Sequence, residues 1–164
     1  MSKIIYDTAK TTDLDDIMFV ENSSFEPDER LSQASMLERI HLIPERFLVA
    51  RNEMGKVIGM VMGPTSNHPY LLDEMFEETQ VSLTTDPTQI IVSLAVSADY
   101  RGLGIATSLL DNLVSLARKE KRQSIALTCL ARLIPYYERY GFVNKGKSQS
   151  QLAGETWYNM TFSL

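Results

Sequence analysis

The sequence predicts an α+β fold, with one central mixed sheet of six to seven strands and helices on both of its faces. Three observations indicate this fold class. Residues 89–96 form an apolar run typical of a strand that is buried on both faces. A stretch with apolar residues at helical spacing follows, and a second buried run covers residues 124–130, so the two strands imply a right-handed parallel crossover. Upstream, two apolar runs flank residues 53–56 as in an antiparallel hairpin.

The predicted elements follow the order β-α-α-β-β-β-α-β-α-β-β. Thr12 or Asp13 can cap the first helix, and Ser32 lies near the start of the second. Residues 63–88 have a mixed composition that predicts a long loop with a short helix within residues 70–80. A loop of this length inside a compact domain is often functional. The strands are predicted at residues 3–6, 47–51, 57–62, 89–96, 124–130, 142–147 and 156–162, and the helices at residues 13–23, 32–40, 105–120 and 132–140.

The composition indicates one soluble domain. A chain of 164 residues with 44% hydrophobic and 23% charged residues has the length and balance of a single globular domain over residues 1–164. The sequence has neither an apolar run long enough to span a bilayer nor a signal-peptide pattern, so we expect no membrane association. Cys129 is the only cysteine and cannot form an internal disulfide, which favours a cytoplasmic location. We expect no metal and either a monomer or a homodimer.

The charge is unevenly distributed. A net charge of −5 argues against general nucleic-acid binding. Residues 13–29 contain seven acids and residues 73–86 contain five, and neither stretch has a Lys or Arg. These acids are either solvated faces or the mouth of a site that attracts a cationic acceptor.

The segment 100–107 is the most informative part of the chain. It follows the predicted central strand and opens the long helix, and it contains Gly102 and Gly104. Glycine allows positive φ and close approach of the backbone to a ligand, and the first N–H groups of a helix have no internal partner. This arrangement favours a bound phosphate, to which Arg101 adds a charged fork and Thr107 a hydroxyl. The alternative interpretation is a plain connection between strand and helix.

Two sequence blocks together resemble a known family. The first is Arg101-x-x-Gly104-x-Ala106, and the second is the run IPYYERYGF at residues 134–142. Both are similar to motifs of the GNAT superfamily of acetyl-coenzyme A-dependent N-acetyltransferases, and the element order is also similar to theirs.

Within the superfamily the chain most resembles the arylalkylamine (serotonin) N-acetyltransferase branch. Cys129, the runs at residues 133–137 and 93–96, and the acidic first helix followed by Phe25 carry this resemblance. The chain lacks that branch's paired strand histidines, because the matching positions are isoleucine and valine (residues 90 and 92).

The resemblance implies that an acetyl group passes from acetyl-coenzyme A to a primary amine of a small cationic acceptor by direct attack. Tyr137 is then the general acid that protonates the leaving thiolate. Phe25, Glu26 and Ser93 are expected on the acceptor side. The residues expected to bind coenzyme A are Leu94, Ala95, Val96, Arg101, Gly102, Leu103, Gly104, Ile105, Ala106 and Thr107.

Other assignments stay open at this stage. A general base is not evident, and the candidates on predicted loops are Glu26, Asp28, Glu29 and His68, or a water oriented by Ser93. Cys129 is better interpreted as a small buried thiol than as a nucleophile. The alternatives for function are a protein or peptide N-acetyltransferase and a non-catalytic coenzyme A-binding module. A nucleotide-binding module is disfavoured, because no Lys-Ser/Thr pair follows the glycine turn.

Overall fold

The computed structural model describes residues 3–164, which divide into two compact units. The first unit contains residues up to 63 and residues 93–113, and the second contains residues 64–92 and 114–164. The strands are β1 (Ile5–Thr8), β2 (Phe47–Arg51), β3 (Val57–Met62), β4 (Thr65–Ser66), β5 (Thr88–Ile90), β6 (Ser93–Val96), β7 (Ser124–Cys129), β8 (Val143–Lys147) and β9 (Tyr158–Ser163). The helices are α1 (Leu14–Ser24), α2 (Gln33–Leu42), α3 (Glu74–Glu77), α4 (Ile105–Lys119) and α5 (Ile134–Tyr140).

The first unit is built on an antiparallel sheet with the order β1-β2-β3-β6. All six residues of β3 are buried, and helix α1 packs against β3 and β6. Gly59 of β3 lets the beginning of α4 approach closely: a Cβ at this position would lie 3.3 Å from Ile105 and 3.4 Å from Leu109. The close approach packs the first turns of α4 against β3.

The second unit contains a mixed sheet with the order β4-β5-β7-β9-β8. Strands β5 and β7 are parallel, with Thr88 opposite Ser124, as the predicted crossover requires. Helix α5 ends at Gly141, whose φ of +124° is rarely adopted by other residues. Its backbone lies against the ring of Phe162 on β9.

The fold class is confirmed, but the predicted central sheet is two sheets. The run 89–96 forms two strands rather than one, because its first part pairs with β7 and its second part pairs with β3. The two halves are both apolar and both buried, so hydrophobic pattern does not reveal the break. The predicted loop 63–88 also contains β4, and its helix is only the single turn α3.

Predictions that depend only on neighbouring residues agree more closely with the structure than the predicted sheet does. The predicted bounds of β2 and β3 agree with the structure, and the Ser32 hydroxyl accepts a hydrogen bond from the Ser35 amide at 3.1 Å as the cap of α2. Asp13 lies at the N-cap of α1, but its carboxylate instead binds the Arg51 guanidinium, with both nitrogen–oxygen distances at 2.7 Å. None of the helices in residues 3–164 is both long and apolar enough to cross a bilayer.

Candidate active site

The turn between β6 and α4 has the geometry of an anion cradle. Gly102 and Gly104 have φ values of +78° and +79°, and a Cβ at either position would meet no atom within 4 Å. In the described part of the chain, the amides of these two glycines donate to no other group. Helix α4 begins at Ile105 and runs for 15 residues, so its first amides add the positive end of a long helix. The glycine turn (residues 101–104) therefore presents free amides and open space at the N-terminus of a long helix.

The Arg101 side chain is bound to other groups of the protein, whereas the sequence predicted that it binds a phosphate. Its Nε donates to the Val96 carbonyl at 3.0 Å, and one terminal nitrogen lies 3.4 Å from the Ser24 hydroxyl. The guanidinium therefore ties the end of β6 to the end of α1 through two of its donor groups. A phosphate contact by Arg101 stays a prediction.

Strand β6 offers main-chain groups at an unpaired edge, because it is the outer strand of its sheet. The Ser97 amide bonds to the Ile58 carbonyl at 2.8 Å, and Ala95 lies opposite Met60. Antiparallel strands alternate between residues that face the partner strand and residues that face away. The peptide groups of Leu94 and Val96 therefore point to the open edge, whereas those of Ala95 point to β3. Of the three, Leu94 and the amide of Val96 are suited to pair with an extended ligand, because the Val96 carbonyl already accepts from Arg101.

The remaining predicted cofactor residues fall into two groups. Ile105 is 2% exposed and its side chain belongs to the core, so it has only its amide to contribute. Leu103 is 67% exposed, Thr107 is also exposed, and Ala106 is partly exposed. These three side chains are accessible to a ligand at the helix N-terminus.

A buried carboxylate that sequence reasoning missed lies in the same unit. Glu21 of α1 is 1% exposed, and its two carboxylate oxygens accept hydrogen bonds from the Ser93 hydroxyl and the Leu31 amide, both at 2.9 Å. Burial raises the pKa of Glu21, although these two hydrogen bonds and the charge of Arg39 act in the opposite direction. The Glu21–Ser93 pair therefore joins a carboxylate of increased basicity to a hydroxyl at the start of β6.

Glu21 also organises the loop that follows α1. Its carbonyl accepts the Phe25 amide at 3.1 Å, its side chain holds Leu31, and Arg30 Nε donates to the Phe25 carbonyl at 2.8 Å. Of the predicted acceptor-side residues on this loop, Phe25 is half-buried and Glu26 is exposed. No signal in the sequence distinguishes Glu21 from its acidic neighbours, because its partner Ser93 is 72 positions away.

In the second unit, Tyr137 lies in an aromatic cluster. Its ring makes edge contacts with Tyr136, at a centroid distance of 5.1 Å, and with Phe142, at 5.6 Å. Within the described residues its hydroxyl has no hydrogen-bond partner. Burial, and then the nearby Cys129 and Tyr136, raise the pKa of Tyr137, so the phenol keeps its proton at neutral pH.

Two other sequence candidates have structural roles. Cys129 is 2% exposed, and burial raises the pKa of its thiol to about 11, so it is a neutral thiol rather than a nucleophile at neutral pH. His68 Nδ1 accepts the Tyr70 amide at 3.3 Å within a local turn. No group of three or more His, Cys, Asp or Glu residues in positions 3–164 is arranged to hold a metal ion.

Comparisons with known proteins identify the family of this chain. A family model described as "Acetyltransferase (GNAT) family" matches residues 11–142. A search of curated proteins gives no match. The structure is similar to that of Ard1 from Thermoplasma volcanium, with 22% identity, a TM-score of 0.73, and coverage of 98% of this chain and 97% of the other.

Two further structures share the fold. Arabidopsis thaliana Naa50, in complex with the bisubstrate analogue CoA-Ac-MVNAL, has 17% identity and a TM-score of 0.75, with coverage of 98% of this chain and 99% of the other. The GphF GNAT-like decarboxylase, in complex with isobutyryl-CoA, has 14% identity and a TM-score of 0.83, with coverage of 97% and 98%. These identities are low, so the similarities establish the fold and leave the acceptor open.

Proposed function

Because the chain belongs to the GNAT acetyltransferase family, we propose that this enzyme transfers an acetyl group from acetyl-coenzyme A to the primary amine of a small acceptor. The observation that carries the proposal is the glycine turn. Two open glycines at positive φ, the first amides of α4 and the unpaired edge of β6 follow one another within residues 94–107. These features match the successive parts of coenzyme A, a diphosphate and an extended amide-containing arm.

The residues present fit the cofactor. The amides of Gly102 to Ala106 would hold the diphosphate, with Thr107 as an additional donor. The peptide groups of Leu94 and the amide of Val96 would pair with the arm as a neighbouring strand does. When bound, acetyl-coenzyme A supplies the thioester that the amine attacks.

Tyr137 is proposed as the acid that protonates the departing thiolate. Its hydroxyl is not engaged by another group among the described residues, and like any phenol it carries its proton at neutral pH. A positioned acid of this kind typically contributes about 10²–10⁴ in rate. The neighbouring Tyr136 has the same ring but is more exposed, so it offers a matched control.

The Glu21–Ser93 pair is proposed to accept the proton of the amine. The serine hydroxyl donates to Glu21, so its lone pairs are left for a proton from the acceptor or from a bridging water. A carboxylate with a raised pKa is a better base than an exposed one. This pair would replace the histidines of the arylalkylamine branch, whose matching positions, Ile90 and Val92, are buried and cannot titrate. We propose that the chain is similar to that branch in its fold and in the role of Tyr137, and that it differs in the group that accepts the proton.

A peptide or protein acceptor is the alternative. The similarity to Naa50 favours it, because the Naa50 structure contains the bisubstrate analogue CoA-Ac-MVNAL, which has a peptide part. A non-catalytic coenzyme A-binding module is the second alternative. It requires that the cofactor binds and that no acceptor is acetylated.

Two measurements test the proposal. Calorimetry with coenzyme A and acetyl-coenzyme A tests the glycine turn, and release of free thiol with small amines, polyamines and peptides tests turnover. We expect cofactor binding and turnover with a small amine. Turnover only with peptides would favour the peptide alternative, and cofactor binding without any turnover would favour the non-catalytic module. Absence of cofactor binding would contradict the proposal as a whole.

A further inference from the structure

A charged groove lies in the second unit, beyond the end of β7. It has a volume of about 360 Å³, within the range of small-molecule sites. Its lining residues are Leu130, Ala131, Arg132, Lys147, Glu155, Thr156 and Tyr158. Two cations and one acid therefore give the groove a positive balance, in a chain whose net charge is −5.

The cations of the charged groove are available to a ligand. Arg132 and Lys147 are exposed, and neither side chain forms an ion pair or a hydrogen bond within residues 3–164. By contrast, Arg51 and Arg122 are bound to acids or carbonyls of the protein. Unpaired cations that converge on one groove are suited to bind an anion.

The sheet register places Lys147 of this groove two strands away from Cys129, which is near Tyr137. Tyr158 of β9 lies opposite Cys129 of β7 on one side and opposite Lys147 of β8 on the other. Neighbouring strands are about 4.8 Å apart, so the backbone of Lys147 lies about 10 Å from that of Cys129. Cys129 is in turn close enough to Tyr137 to affect its pKa. Arg132 stands in the turn that directly precedes α5, the helix of Tyr137.

We infer that the acceptor is an amino acid, whose carboxylate is bound by Arg132 and Lys147 in the charged groove while its amine is acetylated. The inference rests on the proposed function. The backbones of Lys147 and Cys129 are about 10 Å apart, and Arg132 directly precedes the helix of Tyr137, so the two cations and the proposed acid lie within one small region of the second unit. A small molecule that carries its amine and carboxylate within a few bonds suits a region of this size. The groove is also lined by Glu155, whose carboxylate is suited to attract the acceptor's ammonium group before the ammonium loses its proton.

The test compares acceptors that differ only in the carboxylate. Histidine is paired with histamine, and lysine with cadaverine, and kcat/KM is measured by thiol release. For a pair that is turned over, we expect the amino acid to be preferred at least tenfold, about 1.4 kcal/mol. The double variant Arg132→Gln/Lys147→Gln should lose this preference, because kcat/KM for the amino acid should fall at least tenfold relative to that for the amine. Lys119→Gln removes an exposed charge outside the groove and should leave both values unchanged.

The outcomes separate the groove from the proposed function. Turnover of amines without a preference for the carboxylate, or a preference that survives the double variant, would overturn the inference and leave acetyl transfer intact. If none of the acceptors is acetylated, the proposed function is contradicted. In that event, calorimetry measures the affinity of each amino acid and of its amine for the protein loaded with coenzyme A. Equal affinities within each pair would contradict the inference that the groove binds the carboxylate.

Discussion

The glycine turn allows a test in which stability and cofactor binding are separated. Gly104 has a φ of +79°, and Gly55 in the β2–β3 hairpin has a φ of +81°. Neither would place a Cβ within 4 Å of another atom. Gly104→Leu and Gly55→Leu therefore introduce the same backbone strain into the same unit, without a clash at Cβ. Left-handed backbone costs an ordinary residue about 1–2 kcal/mol, so both variants should lose that amount of unfolding free energy.

Cofactor binding should distinguish the two variants. A ligand at a hundred times its Kd stabilises the folded protein by about 2.7 kcal/mol. Gly55→Leu should keep this gain, because a Cβ at Gly55 meets no atom within 4 Å. The hairpin touches the segment before the turn through a different residue, Asn52, whose side-chain amide donates to the Tyr100 hydroxyl at 3.1 Å. Gly104→Leu places a side chain where the diphosphate is proposed to bind, and a hundredfold weaker Kd reduces the gain at the same concentration to about 0.4 kcal/mol.

Urea unfolding with and without coenzyme A measures both quantities. Equal ligand-induced gains for the two variants would refute the cradle, because the leucine at Gly104 would then occupy space that the ligand does not use. A much larger loss of stability in Gly104→Leu without ligand would show that the turn has packing contacts absent from the described structure.

Three further predictions concern the proton acceptor, the acid and the end of α5. Tyr137→Phe should keep the affinity for coenzyme A and lower kcat about 100-fold or more, measured by thiol release; unchanged turnover would remove the phenol from the mechanism. Burial raises the pKa of Glu21 in the folded protein above its ordinary 4.5, so the folded state holds this proton more tightly and stability falls as pH rises from 4.5 through the raised pKa. Glu21→Gln should remove that fall in urea unfolding between pH 4 and 8, and a parallel pH dependence in both proteins would contradict it. Gly141→Ala should lose more unfolding free energy than Gly146→Ala. Both positions have positive φ, which costs about 1–3 kcal/mol, but of the two only a Cβ at position 141 meets the Phe162 ring, at 3.0 Å. Equal losses would show that the ring moves away at no cost in free energy.

The features that sequence predicted well depend on neighbours along the chain. The glycine turn needs only a strand, two glycines and a helix in succession, and the Ser32 cap needs only the first turn of α2. The break between β5 and β6 could not be predicted, because it follows from which partner strand each half meets, and both partners are distant in sequence. The same holds for the charged groove, whose cations Arg132 and Lys147 are brought together by the pairing of β7, β9 and β8.

The acidic stretches show most clearly why counting charges is a poor guide to the acceptor. Asp13 is bound to Arg51, Asp16 accepts the Val57 amide at 3.1 Å, and Glu21 is buried. In the second stretch Asp73 accepts the Gln151 amide and Asp86 accepts the Leu83 amide, each at 3.0 Å. Acids that satisfy donors of the fold have their charge partly neutralised by those donors, so they contribute less to attracting a cation from solution.

What remains exposed carries more information about the ligand than the net charge does. A cation that has no protein partner has not been used by the fold, and its charge is left for something that binds. By this reasoning, Arg132 and Lys147 describe the acceptor better than the larger number of acids does. The proposed acetyl transfer requires an amine, and the proposed groove adds a carboxylate for these two cations to bind. An acceptor with both groups reconciles an acidic chain with a positively charged groove.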